Sequence, residues 1–402
     1  MDQLSIFDDT FTEPVFIESF DNSDVDNEKE EDLEDIEKLD LSSMAVTGTD
    51  WTTETIITQI KKNNITLNPD FQRRDAWNNK TKSKFIESLF LGLPIPQIIL
   101  AELRGKKGKF LVIDGKQRLL SLQQFVLWDN GKSLKLTGLD VKTEFNKKTY
   151  NDILNSSSSD EIDAFNNQPI RTVVVKNWPS VQALYLLFLR LNTGSVKLSP
   201  QELRQALYPG DFIKYANKAS SENLELKRML KLRNVDFRMR DVEIFIRYYA
   251  FKYFSGRYSG SMQAFLDTAC ETLNSKWDEM KETILQDNEE LKKAIRVVFE
   301  IFGESSAFRK FKGGRYEEKF NRAVIDIMLF YFSLPKVKDA LLEEKYITIK
   351  YTYEKLCDEN RDFLDSIEST TKSQTAVRRR FVIWGNALAD ILKINIDLPQ
   401  IG

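Results

Sequence analysis

Val112-Ile113-Asp114-Gly115-Lys116-Gln117-Arg118 is the stretch on which the fold of the N-terminal half turns. A buried-type strand over 109–113 ends in Asp-Gly, and the apolar spacing of 119–128 then predicts a helix. Upstream, 97–103 reads as a partner strand, joined to 109–113 by a hairpin through Arg104-Gly105-Lys106-Lys107-Gly108. Before it, Phe85, Ile86, Leu89 and Phe90 share one face of a helix over 79–91, which Gly92 stops and Pro94 and Pro96 keep from continuing. Asn68-Pro69-Asp70-Phe71-Gln72-Arg73-Arg74 is expected as a loop, since Pro69 biases Asn68 away from helix. A short strand over 65–67 precedes it, after a helix from Thr52 or Thr53 to Lys62, with order beginning near Trp51. Downstream come a Ser-rich loop (155–160), a strand (170–175) and an apolar helix (181–191). Ser199-Pro200-Gln201-Glu202 then starts a helix with a capping box and proline at its first position. Beyond about residue 211 the pattern is amphipathic helix with little strand character. The fold class expected is therefore α+β. The division is an acidic leader (1–48), an α+β domain (49–210) and a helical domain (211–402), with a boundary near Pro209-Gly210.

Composition narrows the chemistry. The 402 residues contain no histidine, which removes His-dependent nucleases, Ser-His-Asp and Cys-His catalysis and histidine-ligated metals. Cys270 and Cys357 lie too far apart to suggest a disulfide framework or a zinc site. Apolar runs fall short of a membrane span, and the acidic N-terminus fits neither a signal nor a transit peptide, so the expected setting is the cytoplasm. The net charge of −3 conceals an asymmetry. Residues 1–40 carry 16 acids against two lysines, a net of −14, leaving +11 on the remainder. A basic body behind an acidic tail suits a partner made of phosphates, with the tail competing for the same surface; a solvated leader on a mildly basic protein is the plainer alternative. Gln3-Leu4-Ser5-Ile6-Phe7 resembles a short sliding-clamp docking peptide, though a simple packing arm reads the same way.

The Asp-Gly turn is the sharpest candidate site. The first turn of a helix presents unpaired N–H groups and a positive dipole end. Arg118 can add a forked guanidinium and Lys116 a point charge, while Asp114 can hold Mg²⁺ or orient water. An ordinary turn, with Asp114 capping the helix and Arg118 in a surface ion pair, stays open. Arg73 and Arg74, among Phe71, Gln72 and Trp77, form a second cationic patch that could meet the first. In the C-terminal half, Arg309, Lys310, Lys312 and Arg315, interleaved with Phe308, Phe311 and Tyr316, are the best local candidates for a DNA-backbone contact, against a simply solvated face.

Asn68-Pro69-Asp70-Phe71-Gln72-Arg73, Leu93-Pro94-Ile95-Pro96, Ile113-Asp114-Gly115-Lys116-Gln117-Arg118-Leu119, Arg190-Leu191-Asn192-Thr193-Gly194 and Leu198-Ser199-Pro200-Gln201-Glu202-Leu203 together resemble the N-terminal domain family of GmrSD-type restriction endonucleases. The match covers roughly 50–210; Phe320-Asn321-Arg322-Ala323 and Arg379-Arg380-Phe381 are similar to a less distinctive helical tail. The resemblance implies a ParB/sulfiredoxin-like domain that binds, and in some members hydrolyses, a nucleotide to control cleavage of modified foreign DNA. The family's Asp-Gly-Gln-Gln-Arg motif falls on Asp114, Gly115, Gln117 and Arg118, with Lys116 in place of the usual first Gln and Ser195 where a second Gly is common. It implies GTP or ATP with Mg²⁺, and phosphates held by Arg73, Lys116 and Arg118. Asp114 would sit on the metal and Gln117 on the attacking water. Asn192 and Thr193 would form the opposite wall, or else only a helix C-cap. The histidine-dependent nuclease of many members cannot be contained intact in this chain, so a separate nuclease or effector subunit is expected, with DNA as partner, no membrane, and a homo-oligomer open. A catalytically silent DNA- or partner-binding module is the alternative. A carboxylate nuclease in its own right is the third reading.

Overall fold

The computed structural model describes residues 42–67, 76–128, 133–156, 159–181, 183, 184, 187 and 199–402. The sliding-clamp-like peptide, Arg73, Arg74, Asn192 and Thr193 lie outside the described residues.

The N-terminal half runs β1 (Ala45–Thr52), α1 (Thr53–Lys61), α2 (Asn79–Phe90), β2 (Ile98–Glu102), β3 (Phe110–Asp114), α3 (Lys116–Leu122), α4 (Tyr150–Ser156), α5 (Ser159–Asn167), β4 (Pro169–Lys176) and α6 (Pro200–Leu207). Helix α3 passes directly into a π-helical turn, Gln123–Leu127. The four strands form one sheet in the order β1-β4-β2-β3, with β2 parallel to β4 and the other pairs antiparallel. Local chemistry sets the ends. The Thr52 hydroxyl accepts from Thr55 N–H to start α1, and Asn78 accepts from Thr81 N–H to start α2.

Side chains alternate across the sheet with the period of two that a strand imposes. Ile98, Leu100, Phe110, Val112, Ile170 and Val174 face the cluster holding Ile56 and Ile60 of α1, Phe85, Ile86 and Leu89 of α2, and Leu119 of α3. Ile99, Ala101, Leu111, Ile113 and Val175 face the other way, toward Trp178, Leu184 and Leu203 of α6. Burial on both faces is why β2 and β3 read as continuous apolar runs.

The structure adds one strand that the sequence pattern did not predict and reduces another to a single bridge. Strand β1 has no apolar alternation because it is an edge strand, exposed along most of its length and held by pairing with β4 from Ala45↔Lys176 to Thr52↔Pro169. Around 65–67 there is only an isolated parallel bridge from Ile65 to Phe110.

The C-terminal half contains α7 (Asp211–Glu222), α8 (Leu224–Met229), α9 (Arg240–Phe254), α10 (Met262–Ser275), α11 (Trp277–Phe302), β5 (Arg309–Lys312), β6 (Arg315–Phe320), α12 (Arg322–Phe332), α13 (Pro335–Ala340), α14 (Tyr346–Glu359), α15 (Arg361–Glu368) and α16 (Gln374–Leu392). Its buried side chains form one cluster from Phe212 to Ile401. Within it, Arg247 grips Asp326 through two bonds, Nε–Oδ1 at 2.9 Å and Nη2–Oδ2 at 2.7 Å. Arg380 reaches Asp326 Oδ2 at 3.4 Å and donates to the Thr371 carbonyl, so α9, α12 and α16 meet on one buried carboxylate. The chain is thus α+β with a helical C-terminal region. The β5–β6 hairpin, which the helical pattern hid, turns at Gly313 and Gly314, both at positive φ. No helix among the described residues is long and apolar enough to cross a membrane.

Candidate functional site

The Asp-Gly turn is built around a conformation that only glycine adopts without strain. Gly115 takes φ +92°, ψ 12°, which ends β3 and points the chain into α3. A Cβ at this position would stand 3.0 Å from Ile98 Cγ1 and 3.4 Å from both Arg118 Nε and Nη2. Glycine therefore supplies both the backbone angle and the room for Arg118. It is the N-cap of α3 and has no side chain with which to cap the first-turn amides.

Arg118 folds back over this turn. Its Nη2 donates to Asp114 Oδ2 at 2.9 Å and to the Gln97 carbonyl at 3.1 Å. The residue is buried, and its Nε–H has no hydrogen-bond partner. Charge pairing with a planar guanidinium fixes the orientation of the Asp114 carboxylate. Asp114 itself keeps 21% of its side chain exposed. Gln117 is half-buried, and its Oε1 accepts from the Trp77 N–H at 3.3 Å. Asp114 and Gln117 are thus the polar side chains of the motif that reach solvent, with Arg118 packed behind them.

Lys116 is turned inward. Its Nζ lies 2.5 Å from Glu202 Oε1, and both side chains are only 6% exposed. Glu202 divides its two oxygens: Oε2 accepts from the Ser199 N–H at 2.7 Å, completing the capping box, while Oε1 takes Lys116. The sequence reading recognised Glu202 only as a cap. Its second role joins segments 86 residues apart, and no local pattern signals such a contact. The same helix reaches the other way, where Arg204 Nε donates to Asp267 Oδ1 of α10 at 2.6 Å in a buried pair.

Asp114, Gly115, Gln117 and Arg118 are therefore brought together, whereas Lys116 is engaged beneath them. Among the described residues no group of three or more Asp, Glu, Cys or His side chains gathers as a metal cage. A magnesium ion accompanying a nucleotide needs only one or two carboxylates, its remaining ligands being phosphate and water. The part-exposed, fixed Asp114 carboxylate fits that requirement.

The candidate nucleic-acid residues of the C-terminal half divide sharply. Arg309 is buried, donates to the carbonyls of Glu304, Ala307 and Glu318, and stacks 4.1 Å from the Phe320 ring centroid. It braces the β5–β6 hairpin and is not available to a phosphate, which corrects the sequence expectation. Lys310 is buried between Glu317 at 2.7 Å and Glu368 at 3.3 Å, so it too is structural. Lys312 is exposed but pairs with Glu368 at 2.6 Å, and Arg315 is exposed. Alternating residues of one strand point to opposite faces, so a basic run on a hairpin cannot present every charge to one ligand.

The family model described as "GmrSD restriction endonuclease, N-terminal domain" matches residues 53–209. No curated protein and no solved structure matches the chain.

Proposed function

We propose, from the match of residues 53–209 to the GmrSD restriction endonuclease N-terminal domain model, that the chain is a regulatory subunit of a restriction-type defence system. In this reading it binds an NTP, GTP or ATP, at the Asp114–Arg118 turn and hydrolyses it to control recognition or cleavage of foreign DNA in the cytoplasm. The restriction-related role follows from the family. The nucleotide chemistry is our own reading, as is the ParB/sulfiredoxin-type ancestry of the sheet.

The observation that supports it most is the ordered set Asp114, Gln117 and Arg118 on one glycine-dependent turn. Asp114, oriented by Arg118, would hold the magnesium ion, which would screen the charge of a polyphosphate. Gln117 would orient a water through its side-chain amide. Arg118, with an unpartnered Nε–H, would supply a desolvated cation close to the phosphates. Arg73, Asn192 and Thr193 would complete the pocket from the segments that flank it in the family pattern. A histidine-dependent nuclease would have to come from a partner, since the 402 residues contain no histidine. Purified protein should release phosphate from GTP or ATP, and Asp114→Ala and Arg118→Ala should abolish release while leaving the circular dichroism spectrum intact. Equal release by these variants would defeat the proposal.

One observation favours a second reading. Both cations of the motif are neutralised internally, Lys116 by Glu202 and Arg118 by Asp114. A catalytically silent module that docks on DNA or a protein would have the same turn as scaffold. DNA binding that falls with salt and ignores added NTP would favour this alternative.

A further inference from the structure

The end of the sheet opposite the Asp114 turn gathers unpaired positive charge from three segments. Lys61 and Lys62 close α1, and Arg104, Lys106 and Lys107 form the tip of the β2–β3 hairpin. Lys176 ends β4 beside them, because β2 and β4 run parallel, with Ala101 opposite Val175. All six are exposed. The segments are physically joined: Lys109 at the hairpin base donates to Asn63 O at 3.1 Å and Asn64 Oδ1 at 3.0 Å. Arg104 donates to the Trp178 carbonyl and stacks 4.3 Å from that ring, which holds the start of the tip against the end of β4.

No carboxylate among the described residues pairs with any of these six cations. Glu102, the acid nearest in sequence, is half-buried, and its Oε1 accepts from the Gly108 N–H. Elsewhere exposed cations find partners, as Arg171 does in Asp50 and Lys312 in Glu368. The tip also stands clear of the body: a Cβ on Gly105 or Gly108 would meet nothing within 4 Å.

The acidic leader joins the fold at this same pole. The Ser43 hydroxyl donates to Asn177 O at 3.4 Å, and the first residue of β1, Ala45, pairs with Lys176. Residues 1–40, with 16 acids against two lysines, are therefore tethered at the rim of the unpaired cations.

We propose that this pole is a docking surface for the phosphate backbone of duplex DNA, and that the leader is its tethered polyanionic competitor. Lysine ammonium groups recognise phosphates as point charges without demanding a planar partner. A projecting two-stranded ribbon has the dimensions to enter a groove. The tip carries no exposed aromatic or aliphatic anchor of the kind that dominates protein interfaces. The surface rests on the DNA-directed part of the proposed function and not on the nucleotide turn, which lies a five-residue strand away, roughly 17 Å at about 3.4 Å per residue.

Fluorescence anisotropy of the full chain with a labelled DNA duplex tests this, using three full-length variants: Lys106→Glu with Lys107→Glu; Lys312→Glu with Arg315→Glu; and a leader in which Asp21, Asp24, Asp26, Glu28, Glu30 and Glu31 become Asn or Gln. The tip variant should weaken binding about tenfold or more and flatten the dependence of log K on log salt by about 2, the loss expected for two phosphate contacts. The neutralised leader should tighten binding several-fold. The β5–β6 variant should bind as the parent does. Binding by the parent that the tip variant leaves unchanged would overturn the surface while sparing the DNA reading. An unchanged affinity with the neutralised leader would overturn the competitor role. No binding by either the parent or the leader variant would overturn the surface and the DNA reading together.

Discussion

Lys116 of the Asp-Gly turn and Glu202 of α6 form a buried ion pair at 2.5 Å, and Glu202 simultaneously caps its own helix. This contact ties the start of α3 to α6, and Arg204 two residues further on ties α6 to Asp267 in the helical half. The motif turn and the C-terminal domain are therefore linked through a single turn of one short helix.

Removing one partner of that pair leaves a buried charge uncompensated, which costs about 3–5 kcal/mol. Lys116→Gln and Glu202→Gln should each lower unfolding stability by that order in urea titrations. The double variant, in which two amides can bond to each other, should lose less than the sum. Additive losses would mean that the two side chains do not act as a pair.

Gly115→Ala places a side chain at φ +92° and 3.0 Å from Ile98 Cγ1. The left-handed angle alone costs roughly 1–2 kcal/mol for a residue with a Cβ. Thermal unfolding should fall accordingly, and any ligand of the turn should bind more weakly because the guanidinium of Arg118 must shift. An Ala variant as stable as the parent would show that the turn can relax without penalty.

Much of this architecture is legible in the residues themselves. The strands at 98–102 and 110–114, the helices starting at Thr53 and Asn79, and the capping box at Ser199 follow from apolar spacing and cap chemistry, which are local. Strand β1 was illegible because edge pairing, and not burial, holds Ala45–Thr52 in place. The β5–β6 hairpin was hidden because Arg309 and Lys310, which look like surface charges, are buried against carbonyls and carboxylates supplied by tertiary structure. At the turn, Asp114, Gly115 and Arg118 were readable as a unit. The inward course of Lys116 was not, since its partner lies 86 residues away.

The β5–β6 hairpin should loosen in acid. A hydrogen bond from Lys312 holds the Glu368 carboxyl below its usual 4.5, and a bond from Lys310 adds to the effect against some desolvation. A depressed carboxylate contributes its stabilisation fully above its unfolded pKa and loses it as pH falls through the folded value. Burial pulls the Lys310 ammonium down, but Glu317 and Glu368 outweigh it and raise the group above 10.5, so its share is lost only in strong alkali. Hydrogen exchange at hairpin amides should therefore accelerate as pH falls below about 4.5, after correction for intrinsic rates, and Glu368→Gln should remove that dependence. Acid acceleration that persists in Glu368→Gln would assign the effect elsewhere.

The two thiols should be inert in the folded protein. Burial pushes Cys270 up to about 12 and Cys357 up to about 11, and both are fully enclosed. Because the thiolate is the reactive species, neither should react with a disulfide reagent at pH near 8 until denaturant is added, when both should titrate. Rapid labelling of native protein would reveal an opening of the helical core.

Calorimetric titration of the full chain with a non-hydrolysable GTP or ATP analogue and Mg²⁺, repeated with Asp114→Asn and Arg118→Ala, addresses the nucleotide turn most directly. One saturable site should be seen in the parent, weakened at least about tenfold, equivalent to 1.4 kcal/mol, by each substitution. No heat with either nucleotide, or an unchanged affinity in both variants, would contradict a polyphosphate site at Asp114–Arg118.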